Sequence, residues 1–366
     1  MSELEELRDA VRDFLESKSP SDAVRRVMAT EAGFDGAVWT QMAEQLGLHG
    51  IAVPDIWGGA GASTVELAVV FEEMGRALLC APFFSSIALA ATALISSGDF
   101  AAAAQFLPGL AAGTTRATVV LNGSLGPWDT TDVTLRADRV SDGGYRIFGE
   151  APRVLDGHTA DVILVAARTV AGVSLLAVSR EAPGLTMEPL TALDQTRKTA
   201  RLTFDAVDAR LIGEDGGAES GLARTSDIAT VLLAAEQVGA AARCLDMAVG
   251  YAKGRIQFGR PIGSFQAIKH RCADMLVMVE GARSAVVHAA AADVDELPVA
   301  ASVAKLAASE TLLHAAVDNM RIHGGIGFTW EHDAHLYVRR AKSTELVFGT
   351  PDYHAERLAT LVSSSR

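Results

Sequence analysis

The chain has 366 residues, 49% hydrophobic and 21% charged, a balance that excludes a disordered polypeptide and allows two or three domains with sizeable cores. Acidic residues outnumber basic ones 45 to 32, for a formal net charge of -13, which argues against broad binding to nucleic acid or an anionic membrane. Cys80, Cys244 and Cys272 have no CxxC spacing and read as buried thiols of a reducing compartment.

The N-terminal MSELEELRDAVRDFLES places carboxylates and apolar residues at helical spacing, so it predicts an amphipathic helix, not a leader. Helical texture continues to about residue 112, broken at VPDIWGGAGAS, and defines an expected helical domain over residues 1–113. The most apolar stretch, 86–97, is shorter than the roughly 20 residues that cross a bilayer, so no membrane segment and a cytoplasmic location are expected. Across 114–222 short β-branched runs (ATVVL, DVTLRAD, YRIFG, DVILVAAR, VSLLAVS, ARLTFDAV) alternate with Gly, Asp and Asn, the texture of an antiparallel β domain. Helical periodicity returns over 223–366: Ile228, Val231, Leu232, Ala235, Val238, Ala242 and Leu245 form one stripe, and further helices are predicted over 265–290, 300–322 and 332–343. The expected fold class is α+β, mainly α, ending in a C-terminal four-helix bundle.

Two motifs carry chemistry. Residues 251–276, YAKGRIQFGRPIGSFQAIKHRCADML, predict that Arg255, Gln257, Phe258 and Gly259 close one helix, that Gly263 turns the chain, and that Phe265 and Gln266 open the next. A guanidinium fork, an amide side chain and a helix N-terminus together suit a pyrophosphate. Residues 321–342, RIHGGIGFTWEHDAHLYVRRAK, hold Gly324, Gly325 and Gly327, which permit close backbone approach. Both segments, and LHGIAVPDIWGGAGAST at 48–64 with VELAVVFEEMGRALLCAPFF after it, resemble the acyl-CoA dehydrogenase family over nearly the whole chain. The resemblance implies FAD as cofactor and an acyl-CoA substrate. It implies cofactor contacts from Arg255, Gln257, Phe258, Phe265, Gln266, Arg321, Gly324, Gly325, Gly327 and Thr350, with the cofactor shared across a subunit interface.

The sequence departs from that pattern where the reaction is carried out. The β-domain segments that touch flavin and thioester in the family read VLNGSLGPWDTTD (120–132) and APRVLDGHTAD (151–161) here, with Arg153 and Leu155 at positions usually held by Trp and Thr. The reaction needs a base for the α-proton. The two family base positions match Phe348, in LVFGT, and Ala229, and neither accepts a proton. Glu236, in LLAAEQVGAAA, lies about two helical turns, roughly 10 Å, beyond Ala229. It reads either as a partly buried carboxylate, paired with an arginine or capped by a neighbouring helix, or as a substitute base; Glu345 reads as a surface charge. His323, His332, His335 and His354 lack a metal-binding pattern, and no metal is expected. Arg339, Arg340 and Lys342 form either a solvated face or a phosphate contact.

The resemblance therefore points to the base-lacking subunit of α2β2-type acyl-CoA dehydrogenases. There a second acyl-CoA dehydrogenase-like chain completes each FAD site, the acyl groups are often bulky, and an electron-transfer flavoprotein is the expected acceptor. A self-sufficient homotetramer with a non-standard base, a flavin-free structural or regulatory subunit, and a related flavin monooxygenase or nitroalkane oxidase remain alternatives.

Overall fold

The computed structural model describes residues 2–121, 126–141 and 143–364. Local signals account for the helix starts. Ser2 and Glu5 form a reciprocal capping box on α1 (Glu3–Lys18), while Asp35 and Asp99 cap α3 (Gly36–Glu44) and α6 (Phe100–Ala111). Between them lie α2 (Ser21–Met28), α4 (Thr64–Arg76) and α5 (Thr92–Ser96). The apolar stretch noted above forms a buried π-helix, Phe84–Ala91, running into α5.

Seven strands follow: β1 (Ala117–Val120), β2 (Arg136–Arg139), β3 (Tyr145–Leu155), β4 (Val162–Arg168), β5 (Val173–Ser179), β6 (Leu185–Leu190) and β7 (Thr199–Ile212). Then come α7 (Glu219–Gly254), the short pair β8 (Ile256–Gln257) and β9 (Arg260–Pro261), α8 (Gln266–Ala291), α9 (Leu297–His323), α10 (Ala334–Leu346) and α11 (Pro351–Ser364). The chain is α+β and mainly α, with the β region in the middle and a helical C-terminal region.

Two compact units emerge, the first comprising Met1–Val24, Thr64–Leu79 and Thr230–Arg366, the second Arg25–Ser63 and Cys80–Ala229. In the second, β4, β5, β7, β3 and β2 pair in a closed ring, with β1 added on β4 and β6 on β7. Most pairings are antiparallel as expected, but β1 runs parallel to β4, and β2 touches β4 in a parallel bridge. Ile147, Ile163, Val165, Leu176, Leu202 and Val207 fill the core. Ser86 on the π-helix grips β1, accepting from the Ala117 amide and donating to its carbonyl.

In the first unit α4 and α7 cross with backbones in contact. A Cβ on Gly75 would lie 1.9 Å from the Glu236 carbonyl oxygen, and one on Gly239 would lie 1.7 Å from that of Glu72. Around this crossing Glu73 accepts from Arg8 and Arg12, and Glu72 from Arg283. Helix α7 is long and apolar enough to span a membrane, a property that the stretch at 86–97 lacks, but 78% of its apolar window is buried in the protein, as in a core helix.

Candidate functional site

The first motif begins where α7 ends. The Arg255 amide still bonds the Tyr251 carbonyl at 2.8 Å, but the chain then reverses through the β8–β9 hairpin. Phe258 (φ 52) and Gly259 (φ 77) make its two-residue turn, both left-handed as a type I′ hairpin requires. Here the structure corrects the expectation that Gln257, Phe258 and Gly259 close a helix: α7 stops at Gly254, and the left-handed pair Phe258–Gly259 turns the backbone so that Gln257 pairs with Arg260 across a hairpin. Gly263 is needed for packing, since a Cβ there would sit 2.9 Å from the Ala252 carbonyl oxygen.

Phe258 is 90% exposed and meets Phe265 edge-on with centroids 6.0 Å apart. The Arg260 guanidinium stacks 4.1 Å from the Phe265 ring centroid, a contact invisible in the sequence pattern. Phe265 occupies the N-cap of α8 and no side chain among the described residues caps that helix; its first turn has no acid, and Gln266 is exposed. Arg255 is also exposed and has no ion pair among the described residues. An uncapped helix N-terminus, an uncommitted guanidinium and an exposed amide fit a pyrophosphate.

The second motif is brought to the same unit. Tyr251 and His323 stack with centroids 4.3 Å apart, and His323 stacks on His332 at 4.2 Å, joining the end of α7 to the end of α9. Gly324 (φ 66) and Gly325 would meet nothing within 4 Å if given a Cβ, so their backbone is open to a ligand. Gly327 differs: a Cβ there would lie 2.7 Å from the Met320 carbonyl oxygen, and its role is internal packing. Arg321 is exposed and paired with Asp318 at 3.3 Å; Arg271 reaches the same carboxylate at 2.5 Å. Thr350 caps α11, accepting from the Tyr353 amide at 3.2 Å.

The base positions carry no carboxylate. Ala229 is fully buried, and Phe348 is 2% exposed with φ 63. Glu236 is buried and ion-paired with Arg340, itself only 2% exposed. The basic cluster therefore splits three ways: Arg340 into this core pair, Arg339 onto the Trp330 ring at 4.9 Å, and Lys342 to Glu345 at 2.8 Å. His354 is buried with Nε2 3.1 Å from the Phe348 carbonyl oxygen, and burial pushes its pKa down to about 4. Of the altered β-domain segments, Asn122, Gly123, Ser124 and Leu125 lie outside the described residues. Arg153 is exposed, whereas Leu155 is buried with its carbonyl accepting from Thr118 at 2.7 Å.

The models of the acyl-CoA dehydrogenase N-terminal and C-terminal domains match residues 1–114 and 224–362. Acyl-CoA dehydrogenase IpdE2 of Mycobacterium tuberculosis is 36% identical over 359 residues, 98% of this chain and 97% of its own. The chain belongs to the acyl-CoA dehydrogenase family. Among solved structures, a variant of the Tcur3481–Tcur3483 steroid ACAD is 32% identical with a TM-score of 0.89, over 99% of this chain and 98% of the other. The ChsE4–ChsE5 complex from Mycobacterium tuberculosis is 26% identical with a TM-score of 0.90, over 100% and 99%. This acyl-CoA dehydrogenase is thus an oxidoreductase of a flavoprotein family. Sequence reasoning missed Lys305, which is wholly buried on α9; the signal was a lysine inside the apolar stripe of Ala301, Ala304, Ala308 and Leu312.

Proposed function

We propose that this chain is the FAD-holding, base-lacking subunit of a hetero-oligomeric acyl-CoA dehydrogenase whose partner, a second chain of the same family, supplies the catalytic base. FAD, when bound, accepts the hydride that leaves the β-carbon of the thioester. In this chain Arg255, the N-terminus of α8 and Gln266 would hold the pyrophosphate, and the open backbone of Gly324 and Gly325 would lie against the nucleotide. Gln257, Phe258, Phe265, Arg321, Gly327 and Thr350 complete or support that site. We assign helical, β and helical domains to 1–113, 114–222 and 223–366.

One observation carries the reading: an open anion-binding donor set stands in a chain whose base positions are Phe348 and Ala229, with Glu236 already held by Arg340. Without a base, the α-proton must leave unassisted, forfeiting a contribution of about 10²- to 10⁴-fold. The structural likeness to a steroid acyl-CoA dehydrogenase supports a bulky acyl group as substrate. An electron-transfer flavoprotein as acceptor and a cytoplasmic location are carried by the family resemblance alone.

The test is dehydrogenation of straight-chain and steroid acyl-CoA thioesters by the chain alone, by a co-expressed family partner alone, and by the co-purified pair. Turnover confined to the pair, with flavin bound, is expected. Robust turnover by the homogeneous chain sinks the divided site, and a colourless pair sinks flavin binding.

A further inference from the structure

The loop joining α10 to α11 is strained and held from both sides. Phe348 adopts φ 63, a conformation that disfavours a bulky side chain, and Gly349 (φ 111) packs so closely that a Cβ would lie 2.3 Å from Tyr353. Such a turn persists only where its surroundings fix it. On the downstream side His354 does so: a carbonyl only accepts, so the Nε2 that faces Phe348 carries the proton. With Nε2 so committed, His354 Nδ1 is buried and has no hydrogen-bond partner among the described residues.

The upstream side is held by a wholly buried ammonium. Lys305 Nζ donates to the Thr344 carbonyl at 2.9 Å, the Glu345 carbonyl at 3.4 Å and Ser309 Oγ at 2.9 Å. Thr344 and Glu345 lie in the last turn of α10, where carbonyls lack helical partners and the helix dipole favours positive charge. The same core cluster includes Gln237 of α7, which donates to Ser309 at 3.1 Å and to Thr344 Oγ1 at 3.1 Å without touching those carbonyls.

We propose that Lys305 is a positioning residue that fixes the end of α10, and through it the 347–350 loop, so that Thr350 is presented to the cofactor. The cofactor part of this inference rests on the FAD reading above; the loop part does not. Burial pushes the Lys305 ammonium down to about 7 against the pull of Glu345. The neutral amine would still carry two N–H donors, one fewer than the three acceptors, so loss of the proton would thin the clamp without abolishing it.

The experiment compares wild type, Lys305→Met and Gln237→Leu, in the assembled protein and in the chain alone, by amide hydrogen exchange over 346–354 and by FAD dissociation constant. Gln237→Leu is the comparator because Ser309 keeps Lys305 as a partner and Thr344 Oγ1 keeps the Arg340 carbonyl. Lys305→Met should raise exchange over 346–354 and weaken FAD binding by about tenfold, while Gln237→Leu lowers the melting temperature but leaves both readouts near wild type. Wild-type exchange in Lys305→Met, or equal effects of the two variants, overturns the proposal. If Lys305→Met does not fold, Lys305→Leu, which likewise removes every N–H donor to the Thr344 and Glu345 carbonyls, decides in the same way. A wild type that binds no FAD would overturn the cofactor reading, while the exchange data would still decide the clamp.

Discussion

Removing Arg340 tests the assignment of Glu236 directly. Both side chains of the pair are at most 5% exposed, so Arg340→Met leaves a carboxylate in the core with its counter-ion gone. Breaking a buried pair from one side costs about 3–5 kcal/mol. With an unfolding entropy near 2.1 cal/mol/K per residue, a chain of 366 residues has about 0.8 kcal/mol/K, so the melting temperature should fall by roughly 4–6 °C. The double variant Glu236→Leu/Arg340→Met leaves no charge behind and should recover to within about 1 kcal/mol of wild type. Thermal and denaturant melts of the single and double variants supply the comparison. In the assembled holoprotein, Glu236→Gln should destabilise without slowing single-turnover flavin bleaching by substrate. A bleaching rate reduced by orders of magnitude with the fold intact would make Glu236 the base, and a negligible cost for Arg340→Met would refute the buried pair.

Arg255→Ala should remove a charge-assisted contact worth about 1.5–3 kcal/mol and weaken FAD retention by roughly 10- to 150-fold, read from flavin content and dissociation; unchanged retention takes Arg255 out of the site. Gly239→Ala should destabilise by about 1–3 kcal/mol or more, because the new methyl would overlap the Glu72 carbonyl at the α4–α7 crossing; a melt equal to wild type would deny that contact. His49 and His354 are buried, and burial is the leading cause that pushes both down to about 4 from 6.5. Since the folded state resists their protonation, their stabilisation is complete above pH 6.5 and is lost as pH falls towards 4. Melting temperatures between pH 7.5 and 4.5 should drop, less steeply in His354→Gln, and a slope identical in that variant excludes His354 as a contributor.

Much of the fold could be read from sequence, because helices and strands differ in hydrophobic period and the caps are local. The stripe Ile228, Val231, Leu232, Ala235 and Val238 predicted a helix that the structure places at Glu219–Gly254. The spacing of 251–276 and 321–342 likewise carried the resemblance, since residue type and order suffice for it. That Glu236 needs a partner was also legible, because a carboxylate in an apolar run is costly alone, but an arginine, a helix end and a catalytic role all remained open.

Other features were decided only by tertiary structure. Which arginine meets Glu236 depends on α10 packing against α7, 104 residues later in sequence, and no local pattern distinguishes Arg340 from Arg339 or Lys342. The hairpin at Phe258–Gly259 replaced a predicted helix end because the choice between a helix cap and a type I′ turn is made by the backbone that follows, not by the glycine. The parallel pairing of β1 with β4 is a contact between strands about 45 residues apart, which periodicity along one strand cannot encode. Lys305 shows the limit most clearly. Its place in an apolar stripe says that it is buried, but its three acceptors lie on its own helix and on the end of another, and only the packed bundle brings them within reach.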